Sequence, residues 1–284
     1  MASISPLRYP GGKAKLYNII KEVIEQQNIT NCTYIEPFAG GAGIALQLLL
    51  NKDVTRIVIN DVDKAVYSFW HAILQDTNEF IGKIIETPVT IDEWYKQKKI
   101  YETYNKKYSL DFGFAAFFLN RTNRSGIITA GPIGGYDQDG TYKIDCRFNK
   151  EKLIEKIKLI SDHKSNIQLY NKDIRSFISK YLPKYEQNGF VYFDPPYYNK
   201  GSLLYQNFFT PLDHKQLSEA IRKGVACNWI ITYDCVDEIK AIYKEYITKD
   251  YYIDYSLAKK RKGKETLIFK NSNCIPQNKE LGFN

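Results

Sequence analysis

Histidine and methionine are scarce in this chain, three of the first and one of the second. None of His71, His163 and His214 stands near a cysteine in sequence, so a transition-metal centre has little to build on and no metal is expected. The five cysteines (Cys32, Cys146, Cys227, Cys235, Cys274) are odd in number and form no C-x-x-C pair. That pattern argues against a disulfide framework and a zinc ribbon, and it suits a reducing compartment. Long apolar runs are also missing: no stretch reaches membrane-spanning length, and Met1-Ala2-Ser3-Ile4-Ser5-Pro6 lacks a basic segment followed by an apolar one. The expectation is a cytoplasmic protein without membrane contact.

What is plentiful is positive charge. Forty Lys and Arg against 32 Asp and Glu leave a formal +8, spread along the chain instead of gathered in a tail. Such an excess favours a polyanionic partner, although many basic proteins bind no nucleic acid. At 284 residues the chain can bury a substantial core as one large α/β domain, or as a medium one with an insertion.

The apolar pattern of residues 34–38 predicts a strand end, followed by the glycine loop Ala39-Gly40-Gly41-Ala42-Gly43 and a helix over 44–50. A second strand over 56–60 runs into Asp61, and a helix restarts at Lys64. This β-α-β-α alternation predicts a parallel sheet. From about 76 to 163 the pattern changes to polar-aromatic helices and an aperiodic Gly-, Asn- and Arg-rich stretch over 120–147. Strand patterns resume at 167–170, 190–193, 229–233 and 266–269, and the chain from Asn273 reads as a loose tail. The expected organisation is a discontinuous catalytic domain of residues 1–75 and 164–284, with an inserted domain over 76–163.

Glycines at a strand-to-helix turn let a nucleotide-bearing ligand approach the backbone and its N–H donors. Gly40 and Gly41 sit at such a turn, and Asp61, at the end of the next strand, stands where such folds bind a ribose diol. A glycine turn that merely lets a helix pack closely is the alternative. The spacing is not the G-x-G-x-x-G of nicotinamide-binding folds, and Glu36 at the strand end would repel a pyrophosphate. Its carboxylate instead suits the α-amino group of an amino-acid moiety such as S-adenosylmethionine carries, with a surface salt bridge as the plainer reading.

Asp194-Pro195-Pro196-Tyr197 follows an apolar strand, which brings its polar groups to the carboxyl edge of the sheet, where α/β proteins bind ligands. Two prolines stiffen the backbone and remove N–H donors, leaving carbonyl acceptors. Acceptors are what an exocyclic amine needs. The lone pair of adenine N6 is delocalised into its ring until its hydrogens are held, here by the Asp194 carboxylate and the Pro195 carbonyl, so that it can attack a sulfonium methyl in line. Tyr197 offers a face on which a flipped base can stack. A rigid turn after a strand is the structural alternative.

These residues resemble the Dam-type (D12 class, α-group) N6-adenine-specific DNA methyltransferases over most of the chain. The resemblance implies a Rossmann-like S-adenosylmethionine-dependent methyltransferase fold, α/β, with an inserted, mainly helical target-recognition domain. Arg8-Tyr9-Pro10-Gly11-Gly12-Lys13 is similar to the family's first cofactor motif, which makes Tyr9 and Lys13 cofactor contacts. Glu36-Pro37-Phe38-Ala39-Gly40-Gly41 is similar to the F-x-G-x-G element, with Ala42 where the second glycine belongs; Phe38, Ala39, Gly40 and Gly41 carry over. Asp61 would hold the ribose. Asp173 and Ile174 would meet the cofactor's adenine, although Asp173 equally reads as the N-cap of a helix over 174–181.

Phe117-Phe118-Leu119-Asn120-Arg121-Thr122-Asn123-Arg124-Ser125-Gly126 resembles the family's segment leading into target recognition. It makes Asn120, Arg121, Asn123 and Arg124 candidates for DNA contact, with phosphate binding or a structural role more common than base reading. Lys259, Lys260, Arg261 and Lys262, expected in a loop between two strands, are candidates for phosphate binding, against a solvated charge run.

Cytosine-N4 enzymes resemble this motif with Ser first, and glutamine methyltransferases with Asn first; Asp194 favours adenine N6. A catalytically silent DNA-binding or cofactor-sensing module would have no use for an intact Asp194 and Tyr197. No nuclease arrangement of paired acids and lysine stands out on the chain. The expected partner is double-stranded DNA, for a bacterial or phage-encoded monomer or weak dimer that releases S-adenosyl-L-homocysteine. It is either the modification part of a restriction-modification system, with a separate cognate restriction endonuclease, or an orphan or phage methylase, and the sequence leaves both open.

Overall fold

The computed structural model describes residues 4–8, 14–103, 108–199, 209–255 and 261–277. Its strands are β1 (Thr33–Glu36), β2 (Arg56–Asn60), β3 (Ile167–Tyr170), β4 (Gly189–Phe193), β5 (Asn228–Asp234), β6 (Ile247–Tyr255) and β7 (Arg261–Phe269). They form one sheet in the order β3-β2-β1-β4-β5-β7-β6. β1 pairs in parallel with β2 and β4, and β4 with β5, whereas β7 is antiparallel to both β5 and β6. The central strands are apolar on both faces: Thr33 to Glu36 and Gly189 to Phe193 are buried throughout, as expected where helices cover a parallel sheet on both sides.

The strand order turns back at β1. The chain passes from β1 outward to β2 on one side, and β4 is laid down on the other. In open α/β sheets the crevice beyond the carboxyl ends of such a strand pair is the ligand site. Register pairs Ile35 with Val191, so the segments leaving Glu36 and Phe193 emerge side by side, about one strand spacing of ~4.8 Å apart.

By compactness the chain divides into two units, one of Met1–Pro10 and Asp63–Asn171 and the other of Gly11–Val62 and Lys172–Asn284. The first holds α3 (Lys64–Gln75), α4 (Thr77–Glu86), α5 (Ile91–Glu102), α6 (Leu110–Thr122), α7 (Lys150–Ser161) and β3. Its interior is aromatic: Phe69 stacks on Phe117 at 5.6 Å, and Phe80, Phe114 and Phe148 pack edge-on or tilted about them. α6 can lie this close to α3 because Gly113 has no side chain; a Cβ there would come within 2.5 Å of the Ser68 carbonyl oxygen. The aperiodic stretch over 120–147 begins with the end of α6 and continues with two 3-10 turns, Arg124–Gly126 and Ile144–Arg147, and a β-bridge between Asn123 and Pro132.

The second unit holds α1 (Ala14–Gln26), α2 (Gly43–Leu50), α8 (Ile174–Lys180) and the strands of the active edge. α2 is apolar nearly all round, with Ile44, Ala45, Leu46, Leu48 and Leu49 buried, as a helix pressed onto a sheet requires. No helix among the described residues is long and apolar enough to cross a membrane.

Candidate active site

The glycine turn after β1 is held from two directions. Gly40 takes φ +47°, a left-handed conformation that glycine adopts without steric cost, and its N–H donates to Asp61 Oδ2 at 2.9 Å. Asp61 at the end of β2 is thereby fixed against the turn while remaining partly exposed. Asn60, buried beside it, donates through Nδ2 to the carbonyls of Pro37 at 2.9 Å and Lys172 at 3.1 Å, and its Oδ1 accepts the Lys172 N–H. One buried amide thus ties the glycine turn to the chain entering α8. Ala42, where the resemblance places a glycine, also has positive φ (+46°), so the backbone keeps the shape that a glycine would favour. Gly43 is exposed and its missing Cβ would meet nothing within 4 Å, leaving open space over the first turn of α2.

Glu36 is 4% exposed, and its Oε1 accepts both the Tyr34 hydroxyl at 2.9 Å and the Ala45 N–H at 3.1 Å. The second contact satisfies one of the open amides of α2's first turn, so Glu36 braces the turn to the helix. Phe38 is partly exposed with its ring edge-on to Phe209, centroids 5.9 Å apart, and Ala39 N–H donates to the Asn60 carbonyl. Asp173 caps α8: Oδ1 accepts the N–H groups of Arg175 at 3.0 Å and Ser176 at 3.4 Å, and the following Ile174 is buried. Of the two roles open for Asp173 in the sequence, capping is the one with visible hydrogen bonds.

The segment after β4 is gripped by its neighbours. Thr232 on β5 donates its hydroxyl to Asp194 Oδ1 at 2.8 Å and is itself within 2.8 Å of the Tyr192 hydroxyl. Pro195 is buried, whereas Asp194, Pro196 and Tyr197 are partly exposed. Asp234, the last residue of β5, accepts the N–H groups of Tyr198 and Asn199, both at 2.8 Å, one with each carboxylate oxygen. The Tyr197 hydroxyl donates to Glu265 Oε1 at 2.8 Å, and burial together with that carboxylate pushes its pKa well above the usual value, so it stays a donor. Thr232, Asp234, Glu265 and Asn60 carry no local motif; only the pairing of β2 with β1, and of β5 with β4 and β7, brings them to the site.

The arrangement therefore offers one sheet edge with a glycine turn braced by Glu36 and Asp61 beside a stiff Asp-Pro-Pro-Tyr turn. The model for D12 class N6 adenine-specific DNA methyltransferases matches residues 9–258.

This chain belongs to that family.

The Type II methyltransferase M.MjaIII of Methanocaldococcus jannaschii is 26% identical over 206 residues, 67% of this chain and 68% of that one. The Type II methyltransferase M.CviBI of Paramecium bursaria Chlorella virus NC1A is 23% identical over 253 residues, covering 86% and 88%. Among solved structures, the SAM-dependent methyltransferase from Agrobacterium tumefaciens aligns with a TM-score of 0.41 at 8% identity, over 91% of this chain and 62% of that one. As a D12 class methyltransferase the chain is an enzyme that uses S-adenosylmethionine to methylate adenine N6 in DNA. The residues fit that cofactor: a partly exposed carboxylate (Asp61) where a diol would be held, a turn bare of bulky side chains, and open space above Gly43.

The methyltransferase's expected DNA-contacting residues fare differently from one another. Asn120 is buried, its amide bridging the backbone N–H and C=O of Arg8 at 2.7 and 2.9 Å and donating to the Gly126 carbonyl at 2.7 Å. Asn123 is buried as well, accepting from Trp94 Nε1 at 2.6 Å and donating to the carbonyls of Ile127 and Ile128. Both amides hold backbone in shape. Arg121 donates to the carbonyls of Arg147 and Pro6, and burial plus the neighbouring Arg8 and Arg147 lower its pKa to about 10. Arg124 is exposed. Arg261 and Lys262 belong to β7, paired with Tyr255 and Asp254, instead of the expected loop, because the antiparallel ladder with β6 continues to its end. Tyr9, Lys13, Lys259 and Lys260 lie outside the described residues.

Proposed function

We propose that Asp194, Pro195, Pro196 and Tyr197 form the reaction centre of a site-specific methyltransferase that flips the target adenine out of duplex DNA. The observation that carries this reading is the emergence of an Asp-Pro-Pro-Tyr turn at the strand-order reversal, beside the glycine turn, with its carboxylate steered by Thr232. The Asp194 carboxylate and the Pro195 carbonyl accept hydrogen bonds from the two N6 hydrogens, which draws the nitrogen lone pair out of conjugation. Tyr197 supplies a stacking face for the extruded base. S-adenosylmethionine would supply a sulfonium methyl for in-line transfer to the amine, the broken C–S bond leaving its electron pair on sulfur and the surplus N6 proton passing by way of the Asp194 carboxylate to solvent. Asp61 orients the ribose, Phe38, Ala39, Gly40 and Gly41 line the turn, Glu36 shapes it, and Tyr9, Lys13, Asp173 and Ile174 complete the cofactor contacts. S-adenosyl-L-homocysteine is released, and no metal takes part.

The inserted segment 76–163 serves target recognition, with Arg124 as its exposed candidate for DNA contact and Lys259, Lys260, Arg261 and Lys262 as a second basic segment for phosphates. The Type II names of the relatives are in keeping with a modification enzyme paired with a separate cognate endonuclease. On this reading the enzyme works in the cytoplasm as a monomer or weak dimer.

Transfer of labelled methyl from S-adenosylmethionine to unmethylated genomic DNA tests the centre. Asp194→Ala should lower the rate by about 10²–10³-fold or more while DNA and cofactor still bind. A variant that keeps the wild-type rate would remove Asp194 from the chemistry.

A further inference from the structure

We propose that Glu265 is a positioning residue for methyl transfer, a buried carboxylate that holds the Tyr197 ring in its stacking position through its hydroxyl. The inference rests on the reading of Asp194 to Tyr197 as the reaction centre. Glu265 is 1% exposed at the middle of β7, and both of its oxygens are engaged by tyrosines: Oε1 accepts from Tyr197 at 2.8 Å, and Oε2 accepts from Tyr251 on β6. Tyr251 is its register partner on one side. On the other side the register partner is Asp234, itself 5% exposed.

Two acidic residues buried opposite each other on neighbouring strands oppose folding, because like charges repel and each loses its hydration. Packing alone gives no reason to keep them. Their hydrogen bonds do, since both carboxylates point their acceptors at the same turn: Asp234 holds the backbone at Tyr198 and Asn199, and Glu265 holds the ring at Tyr197. A tyrosine side chain has two torsions to fix. Its ring is gripped at the root by the Pro196 peptide and at the tip by Glu265, with Tyr251 holding the second carboxylate oxygen so that Glu265 keeps one rotamer. Holding the hydroxyl fixes the swing of the side chain about Cα–Cβ, and because a phenolic O–H lies in the plane of its ring, the direction to the Glu265 acceptor also biases the turn about the ring axis. The face is presented in advance of the base, which lowers the cost of reaching the reactive geometry without adding a contact to cofactor.

The test is a double-mutant cycle on the full-length enzyme, with rates taken per cofactor-binding site on unmethylated genomic DNA. Glu265→Leu, which leaves no acceptor, and Tyr197→Phe should each lower kcat by roughly tenfold with the dissociation constant for S-adenosylmethionine unchanged. The double variant should be no slower than the slower single one, because both substitutions cut the same link. Tyr197→Phe removes one hydroxyl and leaves the ring, so it carries the test by itself if Glu265→Leu does not fold. A wild-type kcat for Tyr197→Phe, or effects that multiply in the double variant, would overturn the proposal. Asp194→Ala serves as the parallel control: if it stays active, the reaction-centre reading has failed and not merely the role of Glu265.

Discussion

Asp194 makes its chemistry available only if its carboxylate faces the substrate amine, and a side-chain hydrogen bond from Thr232 helps to set that direction. Thr232 donates to Oδ1 and shares a hydrogen bond with the Tyr192 hydroxyl, so that two buried hydroxyls from neighbouring strands lead to the partly exposed carboxylate. A hydrogen bond to a charged group contributes about 1.5–3 kcal/mol. Lost from the transition state alone, that corresponds to roughly ten- to a hundredfold in rate. Thr232→Val should therefore slow single-turnover methyl transfer by about that factor with cofactor affinity unchanged, whereas Thr232→Ser should stay within a few-fold of wild type. Equal rates for the valine and wild-type enzymes would mean that the prolines alone orient Asp194. The same residues mark what could and could not be seen in the sequence. Asp194 to Tyr197 and the turn at Gly40 stand out because each is a contiguous run of unusual residues after an apolar strand. Thr232, Asp234 and Glu265 look like ordinary strand residues, and their link to the turn arises only from pairing across β4, β5 and β7. Asn120 and Asn123 take the structural role that the sequence left open beside DNA contact, and residue type alone does not reveal that both amides turn inward to hold backbone.

At the scale of elements, the apolar periods outlined most strands to within a residue or two, because buried parallel strands leave dense apolar runs. The longer antiparallel pair was harder to see. β6 contains Thr248, Lys249, Asp250 and Tyr252, and β7 begins with Arg261 and Lys262, so polar residues disguise a ladder that runs from Ile247–Phe269 to Tyr255–Arg261. Ion pairs replace apolar contacts along it, with Lys240 and Lys264 each 3.0 Å from Asp250. In the helical unit the decisive contact is a missing side chain. At Gly113 a Cβ would stand 2.5 Å from Ser68 O and 2.8 Å from Ser68 C, and both are backbone atoms that cannot swing aside. Gly113→Ala should force α6 away from α3 and disturb the stacked Phe69 and Phe117 rings, at about 1–3 kcal/mol. In a thermal melt this should appear as a loss of roughly 2–10 °C, even though alanine is the better helix former. An unchanged or raised midpoint would show that the two helices separate without penalty.

For the whole molecule the sequence's +8 charge is the property that bears most directly on the substrate. A duplex surrounded by condensed counterions releases them as basic side chains replace them, so affinity falls linearly with log salt, at a slope of about −0.9 for each phosphate neutralised. The cofactor site works by different means. Its polar groups include a turn amide, Asp61 and a helix-bracing Glu36, and none of these exchanges counterions with a polymer. Raising salt from about 50 to 200 mM should therefore weaken duplex binding by roughly 10³-fold if six or more phosphates are contacted, while S-adenosylmethionine affinity changes little. Arg124→Ala should reduce the slope by about one if that exposed guanidinium meets a phosphate, and should instead alter sequence preference at nearly constant slope if it reads a base. Fluorescence anisotropy of a labelled duplex across a salt series, set beside calorimetric titration of the cofactor, separates these outcomes. Parallel loss of both affinities would mean that salt acts on the fold as a whole, and the basic surface would then have no special part in holding DNA.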